Sequence, residues 1–308
     1  MAGLSAALAL QERGASVVLL ERRGVLGGRA SASLDARTGD EVDSGGHRLP
    51  ASAEAARDLL RRAGLAEPIP TAPRWGLVHQ LLAERFVSLA GSLRRRALVT
   101  GCEVEASRVR RVRFIQRAET KAEMQRGKRE TQEMLEPDVV VAAVPWHAVG
   151  ALIPDECRIG TPFAEAGRMA ALATVTVHLW IDGAPDVRLG LASPFAVVLD
   201  RTGGDRGLRH YVLQTGALTR MPDDANADWI RSAAKALGDA GGPRGDLSHA
   251  LVLREPFAVT AGVGRLGPQT AIQGFFVSGD WTIGASLDAG IEAAVRSGLE
   301  AAAAIGSF

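Results

Sequence analysis

Glu21 closes the apolar run Ser16-Val-Val-Leu-Leu-Glu21, and a few residues later two adjacent glycines, Gly27 and Gly28, precede Arg29. A carboxylate at the end of a buried strand can accept hydrogen bonds from a ribose. Bare glycine backbone followed by one fixed guanidinium suits a diphosphate. Arg22, next to Glu21, belongs to the same group. Upstream, Met1-Ala2-Gly3-Leu-Ser-Ala-Ala fits the end of a Gly-x-Gly-x-x-Gly turn, with Gly3 as its last glycine at a helix N-terminus, where a pyrophosphate binds. Near the other end, Phe275-Phe-Val-Ser278 runs into Gly279-Asp280, and Ala289-Gly-Ile291-Glu292 opens a further helix. Gly279 permits a tight turn, and Asp280 can bond a ribityl hydroxyl or a phosphate-linked water. The dipole of that helix, with Ile291 in its first turn, can face a group that gains negative charge on reduction, such as the N1–C2=O edge of a flavin.

The elements that must position these residues follow from periodicity and turn signals. Residues 1–14 read as a helix capped by Gly14, and 16–21 as a buried strand. Residues 22–43 read as a Gly-rich loop, 53–63 as a short amphipathic helix, and 77–98 as apolar, arginine-rich helix. Pro68, Pro70 and Pro73 form a break between the last two. Residues 102–117 alternate as a strand or hairpin, 117–136 are charged and expected on the surface, and 138–144 are a buried strand. Strands at 171–181, 195–199 and 247–259, a helix at 228–237 and a long Ala-rich helix at 285–305 complete the pattern. Alternating strands and helices predict an α/β fold, a Rossmann-like dinucleotide-binding domain with an inserted, shortened α+β domain. The first would comprise residues 1–65, 98–155 and 250–308, the second 66–97 and 156–249.

The ordered set of helix, strand, Glu21 and Gly27-Gly28-Arg29 resembles the N-terminal region of the amine oxidase and phytoene desaturase superfamily. Val42-Asp43-Ser44-Gly45-Gly46-His47 is similar to the next motif of that family, and Gly279-Asp280-Trp281-Thr282 with its helix to the last one. His47 reads first as a turn histidine. The resemblance implies FAD as cofactor, a two-dinucleotide-fold-type FAD-binding domain as the first domain, and a substrate domain as the inserted one. It places a backbone contact to adenine at Glu103-Val104, and likens 139–145 to the family's strand ending in Val-Pro, with Trp146 and His147 as packing and surface residues. The wording of the motifs is most similar to the squalene-associated flavoproteins, hydroxysqualene dehydroxylases, with phytoene desaturases next. It implies redox chemistry on an apolar isoprenoid, in squalene and hopanoid biosynthesis. An amine oxidase fits less well: Tyr211 is the single tyrosine, and Lys121, Lys128 and Lys235 lie outside the motifs. No catalytic acid or base stands out. The first strand and first two glycines are absent from these residues, and 66–98 is short for a substrate domain. A truncated, non-catalytic fragment is therefore the alternative reading.

Composition bounds the rest. A net charge of +1 gives no electrostatic case for nucleic acid. Cys102 and Cys157 match neither a disulfide framework nor a metal site, so reduced thiols and a cytoplasmic location are expected. No apolar run reaches the roughly 20 residues of a membrane span, which leaves peripheral association with the inner membrane as the mode by which an isoprenoid would be reached.

Overall fold

In the computed structural model, residues 1–118, 130–158, 162–166, 168–182, 193–202, 207–242, 245–261, 265–282 and 290–306 are described. Helix α1 (Ala2–Glu12) leads through Gly14, at φ +88°, into β1 (Val18–Glu21). The left-handed φ favours glycine because any side chain would strain it. The segment read as a loop, 22–43, contains a hairpin of β2 (Ala32–Leu34) and β3 (Glu41–Asp43), paired in register Ala32 to Asp43. Its turn is built by Asp35, whose carboxylate accepts from Thr38 N–H at 2.7 Å. Helix α2 (Glu54–Arg62) follows, with no side-chain cap of its own. Its first N–H groups at Ala55 and Ala56 instead donate to buried Glu292, at 3.2 and 2.8 Å. A carboxylate from a distant helix thus does the work of an N-cap.

Residues 77–98 are not one helix. Helix α3 (Trp75–Ser88) ends at the left-handed Ala90, and β4 (Ser92–Arg95) then pairs in parallel with β1. Gly91 sits so close under the Phe86 ring that no side chain fits there. The segment 66–97, assigned from sequence to the substrate domain, therefore belongs with the N-terminal layer. Trp75, Val78, Leu82 and Phe86 of α3 are buried in one core with Leu4 and Leu8 of α1 and Leu59 and Leu60 of α2. The hairpin β5 (Ala97–Glu105) and β6 (Arg108–Arg117) is extended by β7 (Glu130–Leu135). Most of the charged 117–136 stretch lies outside the described residues; its last part is this third strand.

Strand β8 (Val140–Ala142) leads to the short helices α4 (Trp146–Val149) and α5 (Pro162–Ala166). A four-stranded antiparallel sheet follows, ordered β10 (Phe195–Asp200), β11 (Leu208–Thr215), β9 (Ala170–Asp182) and β12 (Leu247–Ala261). Helix α6 (Asn226–Asp239) packs on it through Ala233, Ala236 and Leu237. Strand β11 had no clear signal in sequence, because His210 and Gln214 interrupt its apolar run. Strand β13 (Phe275–Val277) then pairs in parallel with β8, and α7 (Gly290–Ala304) closes the described chain; the start of the expected helix, 285–289, lies outside it.

The parallel strands form two separate pairs, β4–β1 and β8–β13. Helix α1 bridges them: a Cβ at Gly3 would stand 3.1 Å from Ala143 Cβ and 3.9 Å from Leu19 Cδ1. No described strand pairs with the second edge of β1 or of β8. The architecture is mixed α/β.

Helices α1 and α7 touch through Gly298, where a Cβ would overlap Ser5 Oγ and the Ala2 carbonyl. Ser5 Oγ also donates to Val295 O at 3.1 Å. Gly298→Ala is expected to cost about 1–3 kcal/mol by overpacking this buried crossing. Thermal unfolding would show it as a fall in Tm, and an unchanged Tm would mean the two helices can separate freely. No described helix is long and apolar enough to cross a membrane. Neither cysteine forms a disulfide among the described residues, and burial pushes the Cys102 thiol up to about 11.

Candidate functional site

Two adjoining cavities, of about 250 and 400 Å³, share Arg29, His47, Ala258, Asp280, Gly290 and Ile291. The smaller lies between the two parallel pairs, with Leu19, Leu20 and Glu21 on one side and Ala143, Val144 and Pro145 on the other. Met1, Ala2, Gly3 and Leu4 line it at the start of α1. The first-turn N–H groups of a helix have no intrahelical acceptors, and Met1 supplies no side-chain cap. These donors therefore face the cavity.

The Gly-rich turn has the backbone its sequence suggests. Gly27 has φ +109° and Gly28 φ +60°. A Cβ at Gly27 would overlap the ring of buried His79, whereas one at Gly28 would meet nothing within 4 Å. Gly27 thus allows close packing below the turn, and Gly28 presents bare backbone above it. Glu21 holds the entry to the turn by accepting Arg23 N–H at 2.8 Å.

Arg29 ties three distant segments together. Its guanidinium pairs with the Asp280 carboxylate and donates to the carbonyls of Phe257 and Ala258, at 2.9 and 3.0 Å. Its own carbonyl accepts from Ser44 Oγ and from His47 Nε2, the latter at 2.8 Å. A carbonyl can only accept, so Nε2 of His47 carries the proton. Burial lowers the His47 pKa to about 4, which keeps the ring neutral. Burial likewise lowers His79 to about 3, and its Nε2 is buried without a hydrogen-bond partner among the described residues.

Of the residues singled out in sequence, Gly3, Glu21, Gly27, Gly28, Arg29, Gly279, Asp280 and Ile291 all line these cavities. Two do not. Arg22 is exposed, outside both linings, and acts on His147, whose pKa is lowered by burial and then by Arg22. Val104 pairs with Val109 in the hairpin and lines neither cavity. Trp146 is half-buried, and exposed His147 lies against Phe257, with ring centroids 4.5 Å apart.

Sequence reasoning missed the far wall of the larger cavity: Thr174, Gln214, Glu255 and Arg265 from the antiparallel sheet and its exit, and Arg48 at the mouth. These residues come together only through strand pairing, with no spacing pattern to mark them. The loop carrying Gly45, Gly46 and His47 is held to that sheet by a buried polar node. Asp43 and Arg201 pair at 2.5 Å, and burial raises the Asp43 carboxyl to about 6 against the opposing effect of Arg201. His178 Nε2 donates to the Asp43 carbonyl at 3.1 Å, so its Nδ1 accepts from His210 Nε2, 2.9 Å away. Trp180 Nε1 donates to Asp40 at 2.7 Å.

The parts fit a flavin dinucleotide. Helix donors and a glycine turn stand in the middle, a carboxylate stands at each end, and a second cavity opens beyond Asp280. Residues 1–83 match the sequence pattern of the family described as flavin containing amine oxidoreductase. This likeness is to a class of flavin-dependent enzymes and covers the N-terminal segment of the chain. Within that class, a segment of 64 residues is 39% identical to hydroxysqualene dehydroxylase from Zymomonas mobilis; it covers 21% of this chain and 16% of that relative. The whole fold is similar to cyclohexylamine oxidase from Brevibacterium oxydans, at TM-score 0.69 and 15% identity over 99% of this chain and 96% of that one. It is also similar to an oxidoreductase from Methanosarcina mazei, at TM-score 0.60 and 12% identity over 96% and 97%.

Proposed function

We propose that the chain is an FAD-dependent oxidoreductase acting on an isoprenoid, with hydroxysqualene dehydroxylase chemistry as the specific reading. The observation that carries the cofactor assignment is the meeting of Glu21, Gly28, Arg29 and Asp280, from opposite ends of the chain, around adjoining cavities. In this reading β4–β1 and β8–β13 are the two flanks of one Rossmann-like parallel sheet, with α1 laid across it. Glu21 accepts the adenosine ribose hydroxyls, and the first turn of α1 with Gly28 donates to the diphosphate. Arg29 adds a cation and holds Asp280 in place, and Asp280 accepts from the ribityl chain. Ile291 packs against the ring system, and the N-terminus of α7 points its dipole there. Bound FAD supplies hydride transfer. Neutral His47 keeps its ring nitrogen on the Arg29 carbonyl and shapes the boundary between the cavities.

The similarity to hydroxysqualene dehydroxylase lies in the N-terminal segment and supports the isoprenoid reading. Amine oxidase chemistry has the support of the cyclohexylamine oxidase fold. Against it, Tyr211 is buried in the core of the antiparallel sheet and Lys235 is paired with Asp239 on exposed α6, so neither reaches a cavity. Lys121 and Lys128 lie outside the described residues. An isoprenoid substrate entails a chain on the cytoplasmic side that meets the inner membrane peripherally. Denaturing purified protein and identifying the released cofactor tests the first half of the proposal. FAD is expected, and a nicotinamide nucleotide alone would overturn it. Squalene formed from hydroxysqualene by the reduced protein tests the second half, with cyclohexylamine oxidation as the competing outcome.

A further inference from the structure

The larger cavity is not the greasy tunnel that a plain hydrocarbon needs. Across its wall runs a polar row set by strand register. On β9, Thr174 pairs with Glu255 of β12, and Thr176, two residues on and on the same face, pairs with Gln214 of β11. Thr174, Gln214 and Glu255 line the cavity.

The orientation of Gln214 is fixed. Gly46 N–H donates to its side chain at 2.5 Å, and an N–H donor requires the oxygen at that position. A Cβ at Gly46 would stand 2.8 Å from that oxygen and 2.8 Å from Val197 Cγ1, so glycine is what allows the approach. The Gln214 amide nitrogen is left with its two protons and no partner among the described residues. The Thr174 hydroxyl, on a residue 4% exposed, likewise meets no described partner. Thr174 is buried and Gln214 half-buried, so an acceptor brought to them gains a hydrogen bond at a reduced desolvation cost.

Charge in the lining opposes an ammonium ion. Three arginines of the lining, Arg29, Arg48 and Arg265, outnumber its two carboxylates, Asp280, which is paired with Arg29, and Glu255, which accepts Phe257 N–H at 3.0 Å. We propose that Gln214, assisted by Thr174, is a specificity-determining subsite that binds a hydrogen-bond-accepting oxygen on an otherwise apolar substrate, selecting oxygenated isoprenoids over hydrocarbons and amines. This rests on the larger cavity being the substrate side of the proposed flavin site.

The test is calorimetric binding, with FAD supplied in excess, of three probes: geranylacetone, the matching hydrocarbon with a methylene in place of the carbonyl, and geranylamine. The ketone is expected to bind about ten-fold more tightly than the hydrocarbon, the size of one well-made hydrogen bond, with the amine below the ketone. Gln214→Glu keeps an acceptor for Gly46 N–H but deletes the donor. It is expected to bring the ketone down to the hydrocarbon while leaving the hydrocarbon unchanged, a split that a merely structural role would not produce. Thr174→Val, nearly isosteric, is expected to lower the ketone preference two- to five-fold and serves should the first variant not fold. Equal binding of ketone and hydrocarbon by the native protein, or a ketone preference that survives both substitutions, would overturn the inference. The flavin-to-protein ratio of the same samples reports separately on the cofactor reading.

Discussion

Asp280→Ala is expected to lower flavin affinity by roughly ten- to hundred-fold, the equivalent of about 1.5–3 kcal/mol for a lost charge-assisted hydrogen bond. Asp280 stands where the two cavities meet, on the turn after β13, with 14% of its side chain exposed. Its carboxylate holds Arg29, and Arg29 in turn holds the carbonyls of Phe257 and Ala258. Two effects could therefore lower affinity: loss of a direct contact with the ribityl chain, and release of the Arg29 staple. Asp280→Asn separates them, because its amide oxygen still accepts from Arg29 while the negative charge is gone. Asp200→Ala is the control. Asp200 caps Thr202 N–H at 2.8 Å at the end of β10 and lines neither cavity. The flavin-to-protein ratio after gel filtration, with circular dichroism for folding, is the measurement. Equal ratios for Asp280→Ala and Asp200→Ala would remove the C-terminal motif from the site.

The second large effect concerns the space between the parallel pairs. Supplying an apolar strand and a Gly-x-Gly turn ahead of Met1, continuous with α1, is expected to raise Tm and flavin retention together. Strands β1 and β8 each have one edge with no partner among the described strands, and the end of β1 and the residues just after β8 line the smaller cavity. An inserted strand would satisfy backbone groups on both edges and bury its side chains on both faces. Each buried large apolar side chain contributes roughly 1.5–3 kcal/mol, against ~1–2 kcal/mol per residue for ordering the backbone. The net is a gain of a few kcal/mol. The Met1 amine, lowered to about 6 chiefly by burial, would become a peptide N–H and lose the cost of burying a charge. The added glycine amides would extend the donors that face the diphosphate. A Gly/Ser segment of equal length is the control. Should it stabilise the protein and retain flavin as well as the apolar segment does, the space is not a strand site.

Much of the nucleotide half was legible in the sequence because its signals are local. Gly14 ends α1, Gly27 and Gly28 adopt the left-handed backbone that their type permits, and the run Val18–Glu21 ends on the carboxylate that the cavity needs. Where local signals conflicted, the reading slipped. Residues 92–95 carry arginines that look helical in composition, yet parallel pairing with β1 makes them a strand. The hairpin from Ala32 to Asp43 hides in a polar stretch because its partner groups, His178, Trp180, Arg201 and His249, lie more than a hundred residues away. Arg29 was legible as a cation near the cofactor, but its bond to Asp280 spans 251 residues and no spacing rule announces it. What the sequence determined by itself was the class of ligand, since glycine conformations and strand-end carboxylates are properties of short segments. What only the tertiary structure decided was the far wall of the larger cavity. Thr174, Gln214 and Glu255 come from three strands, and each is unremarkable until antiparallel register sets them side by side and Gly46 turns the Gln214 amide toward the cavity.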